Sequence, residues 1–99
     1  AKKRERLVVV AALDFGTETP QEAMDALPAL VEATRDEEGC RKYRVHVPAE
    51  GSGRLLFYEV WENEAAFKAH LESDHLKAFR ASVGHLLKDS LITTWRRMD

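Results

Sequence analysis

The stretch FYEVWENEAAFKAHLESDHLKAF, residues 57–79, constrains the fold more than any other part of the chain. It opens with the alternation of a half-buried strand, placing Leu55, Phe57, Glu59 and Trp61 on one face and Leu56, Tyr58 and Val60 on the other. At Asn63 the period changes from that of a strand to that of a helix. Asn63 is a good N-cap, and Ala66, Phe67, His70 and Leu71 then share one helical face. Ser73 or Asp74 restarts the helix; Leu76, Phe79 and Val83 form its apolar stripe, and Gly84 ends it. A strand running directly into a one-sided helix implies a sheet with helices laid on it.

The remaining segments complete that arrangement. Residues 40–47 alternate, with Arg41, Tyr43, Val45 and Val47 on one face and Cys40, Lys42, Arg44 and His46 on the other. The turn-rich run PAEGSG at 48–53 joins them to the strand at 54–61 as an antiparallel hairpin. Residues 7–13, LVVVAAL, form a short apolar run that reads as a central strand buried on both faces. After a turn at Phe15-Gly16, Thr19-Pro20-Gln21-Glu22 has the form of a capping box with proline at the first helical position. Met24, Leu27, Val31 and Thr34 give that helix its core stripe, and Pro28 is expected to kink it. It ends near Asp36, with Gly39 available for the exit. Residues 91–97, LITTWRR, make the last strand.

The order is β-α-β-β-α-β: an α+β, ferredoxin-like domain with a four-stranded antiparallel sheet and helices on one face only. The core runs from about residue 7 to 97 of a single domain covering 1–99. The uncovered face is apolar, and a second copy is the expected cover, so the chain is read as a homodimer.

Composition removes several classes of function. A net charge of -2 does not suit a nucleic-acid binder. The basic cluster Lys2, Lys3, Arg4 and Arg6 reads as a solvated end. No apolar run is long enough to span a membrane, and no signal peptide is visible. Ala1 in place of an initiator methionine suggests processing or trimming. The single cysteine, Cys40, fits a reducing compartment; the expected location is cytoplasmic, with Cys40 a small core residue rather than a nucleophile. There is no phosphate-binding glycine loop, no dinucleotide fingerprint and no Ser/His/Asp spacing.

Two stretches resemble a known family. Glu38-Gly39-Cys40-x-x-Tyr43, and then Tyr58-Glu59-Val60-Trp61-Glu62-Asn63-Glu64-Ala65-Ala66-Phe67-x-Ala69-His70-Leu71-x-Ser73-x-His75-x-x-Ala78-Phe79, are similar to the antibiotic biosynthesis monooxygenase domain. The resemblance is strongest over residues 37–86. It implies a dimeric α+β barrel and, in one branch, oxidation of phenols or hydroquinones by O2 without metal or organic cofactor. The heme-degrading branch fits poorly. Counting from Val60-Trp61, its heme-facing tryptophan falls on His70 and its iron-ligating histidine on Arg80, and arginine offers no neutral nitrogen ligand.

His70 and His75 are the candidate catalytic residues, with His70 placed among apolar neighbours where an imidazole can act as a base near neutral pH. Tyr43, Glu59, Trp61, Phe67 and Phe79 are the candidate substrate-binding residues. Glu59, on an apolar strand face, either holds a histidine in one tautomer or pairs with Arg41 or a C-terminal arginine. Trp61, Phe67, Phe79 and Trp95 serve as core or as ligand wall; His46 and His85 are expected to be exposed. No metal site is expected: five residues along a continuous helix is a rotation of roughly 500°, off a shared face, and although a break near Ser73 can bring the two histidines together, no third ligand is evident. No cofactor is expected. The leading expectation is a cofactor-independent monooxygenase acting on a small phenolic or quinol-type substrate. An isomerase of a small carbonyl compound and a non-catalytic dimeric ligand-binding domain are the alternatives. An open pocket between the helices around His70 and the sheet, or one filled by side chains, separates binding from a purely structural role.

Overall fold

The computed structural model describes residues 6–99. Lys2, Lys3 and Arg4 of the basic cluster lie outside them, and Arg6 is exposed. The elements are β1 (Leu7–Asp14), α1 (Gln21–Arg35), β2 (Cys40–His46), β3 (Arg54–Trp61), α2 (Glu64–Leu71), α3 (Asp74–Val83) and β4 (Asp89–Trp95), with a 3₁₀ turn at Gly84–Leu86. All strand pairs are antiparallel, and the sheet order is β2-β3-β1-β4. This is the ferredoxin-like α+β arrangement, with the second helical segment broken in two.

Strand register decides which side chains meet the helices. Val9 lies opposite Glu59 and Ala11 opposite Phe57, so the odd-numbered residues of β1 and β3 share the inner face. Tyr43 lies opposite Glu59 and Val45 opposite Phe57, which puts them on the same face. The core there includes Leu7, Val9, Leu30, Leu55, Phe57, Trp61, Phe79 and Val83. Between Cys40 and Lys42 the β2–β3 register shifts. An extra residue inverts the side-chain parity beyond it. Cys40 therefore packs against the core instead of lying on the Lys42 face as its alternation suggested.

Several local expectations shift for identifiable reasons. Pro20 is the N-cap of α1 and not its first residue, and no side chain caps the helix. Thr19 Oγ1 instead accepts the Gly53 N–H at 3.1 Å, which docks the β2–β3 loop on the β1–α1 turn. Its buried stripe is Ala23, Leu27, Leu30 and Thr34; Met24 is exposed and Val31 half-buried. Leu27 and Thr34 lie on the stripe as expected, and Ala23 and Leu30 take the places of their neighbours Met24 and Val31. Pro28 lies inside an unbroken helical run. Gly39 does not supply a left-handed helix exit. A Cβ at that position would lie 2.3 Å from Ala66 Cβ, so glycine is required there by the close approach of α2. β2 ends one residue before Val47, and β4 starts and ends two residues before the expected 91–97. Asn63 caps α2 as expected, accepting the Ala66 N–H at 2.9 Å, and Ser73 caps α3.

β1 is central, but helices cover only one of its faces. Its outer residues Val8, Val10 and Ala12 are half-buried. Around them the outer face exposes Leu56 by 41%, Leu91 by 64% and Trp95 by 57%. For a chain of this size that is a large contiguous apolar surface.

Candidate active site

Four elements converge on the inner face of the sheet. Tyr43 enters from β2, where its carbonyl is tied to the last turn of α1 by Arg35 Nε and Nη2 at 3.1 and 2.9 Å. Glu59 and Trp61 enter from β3. His70 comes from the last turn of α2. Its ring is only 2% exposed and sits 4.7 Å from the Trp61 ring and 5.6 Å from the Tyr43 ring, centroid to centroid. The break between α2 and α3 is held by Ser73, whose hydroxyl donates to the His70 carbonyl at 2.7 Å and accepts from the Leu76 N–H at 3.3 Å. That break re-aims α3 and brings His75 round to the same side as His70, where a continuous helix would separate them.

Between the two imidazoles lies Glu37, in the turn that leaves α1. Its Oε2 is 2.7 Å from His70 Nδ1 and 2.6 Å from His75 Nε2. A carboxylate oxygen only accepts, so both ring nitrogens facing it carry hydrogen. For His70 this fixes the Nδ1–H tautomer and leaves Nε2 as the nitrogen able to take a proton.

Beside His70 a cavity of about 170 Å3 opens between the sheet and the helices, lined by Tyr43, Phe57, Glu59, Phe67 and Phe79 and by the cation Arg80, among others. Its wall is mostly apolar, as ligand pockets are. Burial, opposed by the hydrogen bond to Glu37, lowers the His70 pKa below its ordinary value and favours the neutral ring. Burial raises Glu59 to about 7; the hydrogen bond that Glu59 Oε1 accepts from Trp61 Nε1 at 2.9 Å works the other way, and the charge of Glu37 adds to the rise. Burial, followed by the charge of Glu59, pushes the Tyr43 phenol well above its usual value, so it stays a hydroxyl. Cys40 rises to about 11, chiefly by burial, and remains a thiol.

Of the residues singled out in the sequence, Tyr43, Glu59, Phe67, His70 and Phe79 line the cavity. Trp61 is fully buried behind it and backs three of its lining residues, Glu59 through a hydrogen bond and His70 and Phe67 through ring contacts. His75 meets His70 across Glu37, away from the lining residues. Trp95 is exposed on the outer face. Among the described residues, Glu59 pairs with neither a histidine nor an arginine: Arg41 is taken by Glu62, and the carboxylate that orients His70 is Glu37. Glu37 also corrects the expectation that no third ligand accompanies the two histidines, since the three offer one ligand atom each within 4.8 Å of one another. Nothing in the sequence pattern marked it. Glu37 is 33 residues from His70, in a turn rich in carboxylates, and only the folded chain closes that separation.

Glu59 yields a stability prediction. Its folded pKa lies above the usual value of 4.5, so between about pH 4.5 and 7 the native state binds more protons than the unfolded one. Stability therefore falls as pH rises through that window, and the ionised, buried carboxylate costs on the order of 3 kcal/mol above it. Glu59→Gln keeps an acceptor for Trp61 Nε1. The variant is expected to gain thermal stability relative to the parent as pH goes from 4.5 to 8, and paired melting curves check this.

The family model described as antibiotic biosynthesis monooxygenase matches residues 6–82. A provisionally assigned monooxygenase of Mycobacterium tuberculosis, Rv0793, is 38% identical over 77 residues, covering 74% of this chain and 75% of the relative. A conserved protein from Methanosarcina mazei has a crystal structure that superposes with a TM-score of 0.87 at 31% identity, covering 98% of this chain and 97% of that one. A provisionally assigned antibiotic biosynthesis monooxygenase from Deinococcus radiodurans superposes with a TM-score of 0.75 at 26% identity, covering 94% and 93% of the two chains.

Proposed function

Because the chain belongs to the antibiotic biosynthesis monooxygenase family, we propose that it oxidises a small phenolic or quinol-type substrate with O2, using no metal or organic cofactor. The observation that carries this reading is the Glu37–His70 pair set at the wall of an apolar cavity. Such a substrate becomes a strong electron donor once deprotonated. His70 Nε2 takes the phenolic proton, and the Glu37 carboxylate at Nδ1 stabilises the imidazolium that results. The anion passes an electron to O2, and the two radicals combine at ring carbon. Loss of water then leaves one oxygen atom in the product and one in the water, so a hydroquinone gives a hydroxyquinone with no external reductant. The apolar wall excludes bulk water, while the Tyr43 hydroxyl and Arg80 orient the substrate oxygens. A cavity of about 150 Å3 accepts one benzene ring, so the volume here suits a monocyclic substrate.

The test is oxygen uptake by purified, chelator-treated protein over a panel of monocyclic hydroquinones and phenols, with tricyclic anthrone-like phenols as the class that the cavity volume should exclude. Uptake coupled to product formation supports the reading. Turnover of a carbonyl compound without oxygen uptake points to the isomerase instead, and no turnover of any substrate overturns catalysis of this kind.

We also propose that the protein works as a homodimer in the cytoplasm. Members of the family are commonly dimeric, and the exposed Leu56, Leu91 and Trp95 surface gives a second copy a reason to bind. The free Cys40 thiol suits a reducing compartment. No helix among the described residues is long and apolar enough to cross a membrane. The double substitution Leu91→Arg, Trp95→Glu is expected to convert a dimer to a monomer in sedimentation or light scattering. A parent protein that is already monomeric at micromolar concentration contradicts the pairing.

A further inference from the structure

We propose that Glu37, His70 and His75 form a binding site for a single divalent ion of the zinc class. Three side chains from three separate elements place one oxygen and two imidazole nitrogens within 4.8 Å of one another. Two histidines and one carboxylate are a donor set that zinc and neighbouring borderline ions favour, and the set leaves a position open for water. Both nitrogens already point at one carboxylate oxygen, at 2.7 and 2.6 Å, and what bridges them there is hydrogen. Four-coordinate zinc, with bonds of about 2.0–2.1 Å, holds its ligand atoms about 3.3 Å apart, so each contact to Glu37 must open by about 0.6 Å and the two nitrogens, within 4.8 Å of one another, must close by as much as about 1.5 Å. His75 has the freedom for that, since its side chain is 24% exposed at the start of α3, whereas His70 is fixed by the rings of Trp61 and Tyr43. One rigid ligand, one adjustable ligand and a carboxylate on a turn form a site that movement of the His75 and Glu37 side chains can close on an ion.

Binding has a consequence for the base, and this consequence alone rests on the function proposed above. A metal on His70 Nδ1 needs the lone pair of that nitrogen, so the ring hydrogen moves to Nε2. His70 then has no nitrogen left to accept a substrate proton. Metal occupancy and base catalysis exclude each other, which makes the ion an inhibitor of this site and not its cofactor.

The direct test is uptake of Zn2+ alone by chelator-treated wild-type protein, measured by competition with a chromogenic chelator, with no substrate present. One ion per chain is expected. His75→Ala and Glu37→Gln should each weaken uptake by on the order of 10-fold or more. No saturable uptake by the wild type, or uptake unchanged in either variant, overturns the site; the second result would assign the metal to other histidines such as His46 or His85. Should a variant fail to fold by circular dichroism, Co2+ alone added to the wild type decides. Intense visible bands of a four- or five-coordinate site support the proposal, and the weak spectrum of octahedral aqueous cobalt overturns it. None of these readouts depends on turnover, so failure of the oxygenase reading leaves this test intact.

Discussion

His70→Gln is expected to lower kcat for oxygen-dependent oxidation by roughly 10²- to 10⁴-fold, the usual worth of a positioned general base. Glutamine is close to histidine in size, and its amide can still donate to Glu37 Oε2, the acceptor now 2.7 Å from His70 Nδ1. It has no nitrogen that takes a proton near neutral pH. The substitution therefore removes the proposed base and leaves most of the surrounding packing. Because His70 is buried against Trp61 and Tyr43, some loss of thermal stability should accompany it. The comparison is made at a temperature where both proteins are folded, using saturating substrate and an oxygen electrode. A variant that retains more than a tenth of the parent kcat would show that another group takes the proton. Glu59 is the first candidate, since it lines the same cavity and its pKa is raised to about 7.

The largest expected effect on stability is at Gly53. Its φ of 90° is a conformation that side chains rarely adopt, and a Cβ there would lie 2.0 Å from the Gly16 carbonyl oxygen. That oxygen belongs to the backbone of a turn held by three hydrogen bonds: Phe15 N–H to Gly53 O at 2.6 Å, Gly53 N–H to Thr19 Oγ1 at 3.1 Å, and Ser52 Oγ to Thr17 O at 2.8 Å. No side chain can rotate away to relieve the overlap. Gly53→Ala combines backbone strain with overpacking and should cost about 3 kcal/mol or more. In a domain of this size that lowers the melting temperature by more than about 10 °C. Gly51 supplies the control. Its φ of 86° carries similar strain, but an added Cβ would meet nothing within 4 Å, so Gly51→Ala should cost only about 1 kcal/mol. Equal losses at the two positions would refute the argument from close approach.

The fold was largely legible because its signals are local. The alternation at Arg54–Trp61, the Asn63 cap and the Ser73 restart each depend on neighbours a few residues away, and each appears in the structure. Cys40 packs against the core as a small core residue should, but on the face opposite to its alternation, because a shift of one residue in strand register leaves no mark in the alternation itself. Thr19 takes a partner other than the helix, because a hydroxyl that can cap a helix can equally accept from a loop brought in from residue 53. The site divides along the same line. Residues that share the inner face of β2, β3 or α2 could be named from periodicity, and Tyr43, Glu59, Phe67 and His70 do meet at one cavity. Glu37 could not be named. It sits among neighbouring carboxylates in a turn, and what distinguishes it is its closure on two histidines 33 and 38 residues away. That closure depends on the α2–α3 break, which turns an unfavourable five-residue spacing into a convergent pair.

Glu37 holds His70 as a neutral imidazole with hydrogen on Nδ1, leaving Nε2 free to act as the proposed base. Nitrogen-15 NMR of histidine-labelled, chelator-treated protein at pH 7 reads this directly, because the two ring nitrogens and their protonation states have distinct shifts and couplings to the ring hydrogens. The account predicts a protonated Nδ1 and an unprotonated Nε2 for His70, with Glu37→Gln shifting the Nδ1 signal. A His70 ring that carries its hydrogen on Nε2, or on both nitrogens, would contradict it.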